Sequence, residues 1–277
     1  MNDLTALVLT LTPDRPITMS GHLGRASHAM LLRLLASADP ALAQMLHDSN
    51  TAKPFTCSDL IGGERVDKNA RRFTPDKQAW LRLTGLTSTV SALLQLWATT
   101  PPEKVELDGA VFTVQTATID PAVHPWAGQT SCEALSAPHL LAQQSPAYRL
   151  SLEFASPTTF RSQGRSLPVP MPEWVFGSLL DRWNAFATVQ LPTETRRFAA
   201  ECVVLSRYRL HTRAVPYKDI VQMGCVGWGD FVALQHDRYW NSVLNLLADF
   251  AFYSGVGYQT TVGLGQVRRK TAVPTAP

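Results

Sequence analysis

Apolar positions alternate with polar ones from Leu4 to Leu11, setting Leu7, Leu9 and Leu11 on one face. This two-residue period predicts a half-buried strand. From Gly24 to Ala36 the spacing lengthens to three and four residues through Ala26, Ala29, Met30 and Leu34, which predicts a helix ended by Asp39-Pro40. Ala41 to Leu46 is apolar enough for a further helical turn. Strands are expected at Phe55 to Ile61 and Trp80 to Leu86, on either side of a polar, basic stretch from Glu64 to Lys77 that reads as a hairpin loop. Thr87 to Trp97 is a helix with Ser and Thr near its start and Pro101-Pro102 beyond its end. Val105 to Ile119 alternates again, as a long strand or hairpin.

From Asp120 to Pro146 the chain is rich in Pro, Ala, Ser and Gln and reads as a connection, with local structure around Trp126. The order then returns. Arg149 to Phe154 is a strand, Glu173 to Phe186 a helix behind Pro168, Pro170 and Pro172, and Ala199 to Leu210 and Ile220 to Leu234 are strands. Asp237 to Tyr253 is a helix with Val243, Leu244, Leu247, Phe250 and Ala251 near the helical period, and Gln266 to Val273 is a last strand. A βαββαβ order met twice defines an α+β chain of two tandem ferredoxin-like (RRM-like) domains. Their expected limits are 1–122 and 147–277, joined by a connecting segment, 123–146. Such folds host many activities, so function has to come from the sites.

Composition narrows the classes. With 45% hydrophobic and 17% charged residues the chain is not disordered, and 277 residues suffice for two cores. The N-terminus lacks a basic n-region and no apolar run approaches the roughly 20 residues of a membrane span. Neither a signal peptide nor a membrane association is therefore expected. Cys57, Cys132, Cys202 and Cys225 form no Cys-x-x-Cys pair, so neither a zinc site nor a disulfide framework is indicated, and a reducing, cytoplasmic setting is expected. The net charge of +3 is unevenly spread, with 11 basic against 13 acidic residues in 1–140 and 14 against 9 in 141–277. A basic second half points weakly to a polyanionic partner.

The most informative stretch lies between the last helix and the last strand: Gly255-Val256-Gly257-Tyr258-Gln259-Thr260-Thr261-Val262-Gly263-Leu264-Gly265. Its four glycines permit left-handed backbone and close approach by another chain segment. A dinucleotide fingerprint is excluded because its glycines follow a strand and open a helix, and a P-loop is excluded because no Gly-Lys-Ser/Thr is present. A tight helix-to-strand connection is the plain structural reading.

The two Gly-hydrophobic-Gly triplets, five residues apart, resemble the C-terminal signature of the CRISPR-associated protein six family of precursor-crRNA-processing endoribonucleases, within the RAMP superfamily. Phe154 to Phe160, Leu167-Pro168-Val169-Pro170, Phe176 to Phe186 with Arg182-Trp183-Asn184, and the segment from Gly21 to Leu60 are similar to the family in the same order. The family usually carries a Lys or Arg among the five central residues; Tyr258 to Val262 carries none. The resemblance implies tandem ferredoxin-like domains that bind CRISPR repeat RNA and cut it once without metal or cofactor. The 2′-hydroxyl would attack the adjacent phosphate, leaving a 2′,3′-cyclic phosphate and a 5′-hydroxyl. That chemistry needs a base, an acid and a cation at the phosphorane.

Family arrangement carries over residue by residue. His47, followed by Lys53-Pro54-Phe55-Thr56, matches the general acid/base histidine, with Lys53 as the phosphate-stabilising cation; an exposed histidine at a helix C-terminus is the plain alternative. A first-helix tyrosine found in some members falls on Leu32, which cannot move a proton, and His28 lies four residues earlier on the same face. His28 also stands in Gly24-Arg25-Ala26-Ser27-His28, the pattern of the catalytic candidate in many bacterial relatives; His22 is the weaker candidate. RNA binding is assigned to Arg25, Arg161, Arg165 and Arg268, and to the loop's Gly255, Gly257, Tyr258, Gln259, Thr260, Gly263 and Gly265, whose amides can form an anion nest. Tyr258 could stack on a base. A rival reading is a non-catalytic repeat-RNA-binding subunit of a CRISPR interference complex, and a homodimer is left open.

Overall fold

The computed structural model describes residues 2–48, 52–141, 143–217 and 220–270, with 47, 48, 217 and 220 described by backbone alone. The chain forms two compact units, Met1–Ser131 with Thr261–Gly263, and Cys132–Thr260 with Leu264–Pro277. Among the described residues no helix is long and apolar enough to cross a membrane.

In the first unit the strands are β1 (Leu4–Pro13), β2 (Ile17–Ser20), β3 (Phe55–Cys57), β4 (Glu64–Arg65), β5 (Ala70–Phe73), β6 (Ala79–Gly85), β7 (Lys104–Leu107), β8 (Ala110–Thr118) and β9 (Gly128–Thr130). The helices are α1 (Gly24–Ala38), α2 (Pro40–Asp48) and α3 (Ser88–Thr99). An antiparallel sheet runs in the order β3-β6-β1-β8-β7, with β9 also pairing β1. Taking β1, β3, β6 and β8 as the four strands of the motif, the spatial order is second, third, first, fourth, with α1 and α3 as the two crossovers. That is the ferredoxin arrangement. The predicted alternation places Leu7 opposite Leu83 and Leu9 opposite Leu81, and these four join Met30, Leu31 and Leu35 of α1 and Val90 and Leu94 of α3 in one core. Val105 to Ile119 resolves into the β7–β8 hairpin, which reverses at Asp108 (φ 50°) and Gly109 (φ 78°), a left-handed pair suited to a two-residue turn. The basic stretch from Glu64 to Lys77 is not a bare loop: β5 pairs with β2 on one side and β4 on the other, as a small separate sheet.

The second unit repeats the order with α4 (Cys132–Leu140), β10 (Arg149–Thr158), β11 (Phe160–Ser162), β12 (Arg165–Leu167), α5 (Pro172–Phe186), α6 (Thr195–Cys202), β13 (Val203–Tyr217), β14 (Ile220–Ala233), α7 (Arg238–Ser254) and β15 (Val267–Arg269). Its sheet, β13-β14-β10-β15, has the same spatial order. Leu150, Leu152 and Phe154 of β10 are buried, while Arg149, Ser151 and Glu153 alternate onto the other face. Pro172 opens α5, where its missing N–H costs nothing, and Asp237 caps α7 by accepting from the Trp240 amide. Two expectations are corrected. Residues 199–202 close helix α6, so the strand starts at Val203, and α4 lies within what reads as connection because Pro138 inside it disguises the helix. The last strand is seen at Val267–Arg269, without Gln266 and Lys270; residues 271–273 of its expected span lie outside the described residues.

Candidate functional site

All four loop glycines are left-handed, with φ of 64° at Gly255, 79° at Gly257, 95° at Gly263 and 69° at Gly265. A Cβ at Gly257 would stand 2.4 Å from the Thr159 carbonyl oxygen, and one at Gly265 2.2 Å from that of Val256, so no other residue fits either place. The loop's amides are largely committed inside the protein. Val256 N–H donates to Gly265, Gly257 N–H to Ser178 Oγ, Tyr258 N–H to Thr159, and Gly265 N–H to Pro157. The glycines therefore serve backbone packing here, and the amide-nest expectation narrows to the loop's side chains. Gln259 sits at φ 61° with Oε1 buried and unbonded among the described residues, and Thr260 is buried. Exposed Arg161 lies over the Tyr258 ring, 4.9 Å from its centre. Arg165, also exposed, opens β12 of the same short hairpin.

Within the first unit, Thr261–Gly263 lies beside β3. Gly263 N–H donates to the Cys57 carbonyl at 3.0 Å, Ser58 and Gly263 form a parallel bridge, and a Cβ at Gly24 would stand 1.9 Å from Val262 O. Two histidines read this segment. His28 Nδ1 is 3.1 Å from Thr261 O, and its ring lies 5.6 Å from that of Phe55. A carbonyl only accepts, so Nδ1 carries the proton and Nε2 is the nitrogen able to take one. His22 places Nδ1 3.3 Å from Asp59 Oδ2 and Nε2 3.2 Å from Val262 O.

Asp59 is the hub of that contact. Its carboxylate accepts from the Leu23 amide at 2.7 Å and from Arg71 Nη2 at 3.1 Å to both oxygens, which fastens the start of α1 to β5. Burial alone would raise its carboxyl, but the bond and charge of His22, with Arg71 and the Leu23 amide, hold it below the ordinary value. No pattern in the chain signals this cluster, because Asp59 stands 37 residues after His22 and 12 before Arg71, in no motif.

The other expected residues separate into groups. Lys53 donates its ammonium to the Leu46 carbonyl at the end of α2, two residues before Phe55, whose ring meets His28. His47 follows Leu46, and its side chain lies outside the described residues. Arg25 is exposed one helical turn before His28. Arg268 donates to Glu153 at 2.6 Å. Cys57 and Cys225 are buried thiols, Cys225 pushed up to about 12 by burial, which leaves neither as a ready nucleophile.

Sequence reading missed a basic face in the second unit. Arg207, Arg209, His211 and Arg213 alternate along one side of edge strand β13, and all are exposed. Arg209 pairs across to Trp228, which pairs to Glu153 and on to Arg268, so the row crosses the whole sheet on the side opposite Leu152 and Phe154. Lys270 Nζ adds a contact 5.0 Å over the Trp228 ring. The signal was present as Arg-x-Arg-x-His-x-Arg, a two-residue period of cations on a strand.

Two ferredoxin-like units, a left-handed glycine loop and a row of cations on one sheet face suit a protein that handles RNA. The family model described as CRISPR-associated endoribonuclease Cas6 matches residues 152–267, and that described as CRISPR Cas6 N-terminal domain matches residues 4–136. The chain belongs to the Cas6 family of CRISPR-associated endoribonucleases. Among solved structures it is similar to the Cas6 (TTHA0078) product complex, at 29% identity and a TM-score of 0.77, covering 98% of this chain and 100% of that one. It is likewise similar to the product complex of Cas6 (TTHB231) from Thermus thermophilus, at 25% identity and a TM-score of 0.80 over the same shares, 98% and 100%. Likeness to a Cas6-related protein from Pyrococcus furiosus, at 12% identity, a TM-score of 0.61 and coverage of 96% and 98%, shows the fold alone. No curated protein matches the chain in sequence.

Proposed function

We propose that this chain cleaves CRISPR repeat RNA within precursor crRNA by attack of the 2′-hydroxyl on the adjacent phosphate, giving 2′,3′-cyclic phosphate and 5′-hydroxyl ends. The observation that carries the reading is His28, whose Nδ1–H is fixed on Thr261 O so that Nε2 is presented for proton transfer. His28 and His47 share the roles of base and acid, and Lys53 stabilises the charge that builds on the phosphorane. Arg25, one turn from His28, holds the flanking phosphate, while Arg161, Arg165, Tyr258 and Arg268 bind RNA beside the glycine loop. One similar structure, at 29% identity, is a Cas6 (TTHA0078) substrate mimic complex, which supports repeat RNA as the partner.

The test is incubation of the purified protein with end-labelled repeat RNA in EDTA, beside the same RNA with one 2′-deoxy nucleotide at the cut, and with His28→Ala and His47→Ala. Cutting is expected in EDTA, to be abolished by the deoxy substitution, and to fall about 100-fold or more in the variant lacking the essential histidine. Tight repeat binding with no cutting would replace this reading by the non-catalytic subunit of an interference complex.

A further inference from the structure

Gly255 to Gly265 contains no cation of its own. On the loop's exposed side Arg161 lies over Tyr258, while past the loop Arg268 is engaged by Glu153, and Arg269 by Asp249 and Asn245. From α5, however, Arg182 reaches under the loop. Its Nη1 donates to the Ser254 carbonyl and, at 2.5 Å, to Thr260 Oγ1, and its Nη2 donates to the Gly257 carbonyl at 3.0 Å. One helical turn earlier on the same face, Ser178 Oγ accepts from the Gly257 amide at 3.1 Å. Helix α5 thus grips Gly257 by both its N–H and its C=O, beside the left-handed turn that presents Tyr258. All three acceptors of the guanidinium are neutral. The adjacent carboxylate, Asp181, is taken by Arg196 at 2.7 and 2.8 Å. Among the described residues no carboxylate is hydrogen-bonded to the guanidinium beneath the loop, and Asp181 acts on it through space alone.

We propose that Arg182 is a positioning residue for RNA recognition, whose fork sets the loop's shape and whose charge gives the loop the cation its own sequence lacks. This rests on the reading of the loop as an RNA contact. Burial lowers the guanidinium to about 10, with Asp181 opposing, so Arg182 still carries its charge at neutral pH. Lysine is not equivalent, because an ammonium cannot span acceptors on both sides of Gly257 in one plane. The group touches no reacting atom, so its effect is expected on affinity.

The experiment compares the full-length protein with Arg182→Gln, Arg182→Lys and Thr260→Val, measuring labelled repeat-RNA affinity at several salt concentrations, single-turnover cleavage at saturating RNA, and melting temperature. Arg182→Gln is expected to weaken binding about tenfold with a shallower salt dependence, Arg182→Lys about threefold with the wild-type slope, each cutting within about twofold of wild type once saturated. Thr260→Val, which keeps the arginine and removes one acceptor, is expected to weaken binding about twofold and carries the test if Arg182→Gln does not fold. Wild-type affinity in Arg182→Gln, or equal losses in the glutamine and lysine variants with an unchanged slope, would overturn the proposal. Failure of the wild type itself to bind repeat RNA would instead sink the functional reading beneath it.

Discussion

At the scale of single residues, Asp59 shows how a buried carboxylate does structural work beside the candidate active site. Side-chain exposures of 10% for Asp59, 11% for His22 and 13% for Arg71 mean that each charge is strengthened by the low local dielectric and is costly to leave unpaired. Replacing Asp59 by Asn keeps its shape but strands the Arg71 guanidinium, at an expected cost of about 3 kcal/mol. The pH dependence has a defined sign. Because the folded carboxyl lies below its ordinary 3.8, its contribution is complete above that value and lost as pH falls through the folded one. Thermal melts of wild type and Asp59→Asn should therefore differ by a constant gap near pH 5 and converge as pH falls below the folded carboxyl's lowered value. A gap that persists undiminished to the acid limit would show that the carboxylate's charge is not what stabilises the site.

At the scale of elements, α1 is informative because ordinary propensity and tertiary packing disagree at Gly24. Gly24 opens α1, and helix propensity favours Ala over Gly by up to about 1 kcal/mol. Here the added methyl would stand 1.9 Å from Val262 O, and the backbone of Thr261–Gly263 would have to move. Since Thr261 O fixes the His28 ring, Gly24→Ala is expected to cut repeat RNA at least tenfold more slowly while helix content is unchanged. Hydrogen exchange at the Gly263 amide, now bonded to Cys57 O, should accelerate in parallel. Wild-type cleavage by Gly24→Ala would mean that His28 does not depend on this segment. Helices and central strands were legible in the sequence because their burial follows a period: Leu7, Leu9 and Leu11 on β1, or Val243, Leu244 and Leu247 on α7, write the core directly. Short edge strands such as β4, with both residues exposed, leave no such trace, and α4 is hidden by its own proline. The glycine pairs were legible in the sequence since only glycine tolerates those contacts. Arg182 and Asp59 were not, because their partners are backbone atoms and side chains brought near by folding alone.

At the scale of the whole molecule, the charge asymmetry has a structural location. Part of the excess of cations in residues 141–277 is displayed on one side of a sheet, where Arg207, Arg209 and Arg213, with His211, project from β13 beside Trp228. A long exposed edge strand would invite pairing with another chain, and a ladder of cations guards against that. The same ladder suits a phosphate backbone, whose neutralisation releases counterions and makes affinity fall with salt. Such contacts position RNA without reading its bases. Replacing Arg207, Arg209 and Arg213 together by Ala should weaken repeat RNA and a scrambled RNA of equal length by the same factor, with each salt slope reduced by roughly two to three units. The ratio between the two RNAs should stay constant, as should the cleavage rate at saturating repeat. These arginines lie on the face opposite the buried residues of β10, so the variant should melt within a few degrees of wild type, and lost affinity can be read as lost electrostatics. A loss confined to the repeat would instead make this face a reader of sequence, and would move the origin of specificity from the glycine loop to the sheet.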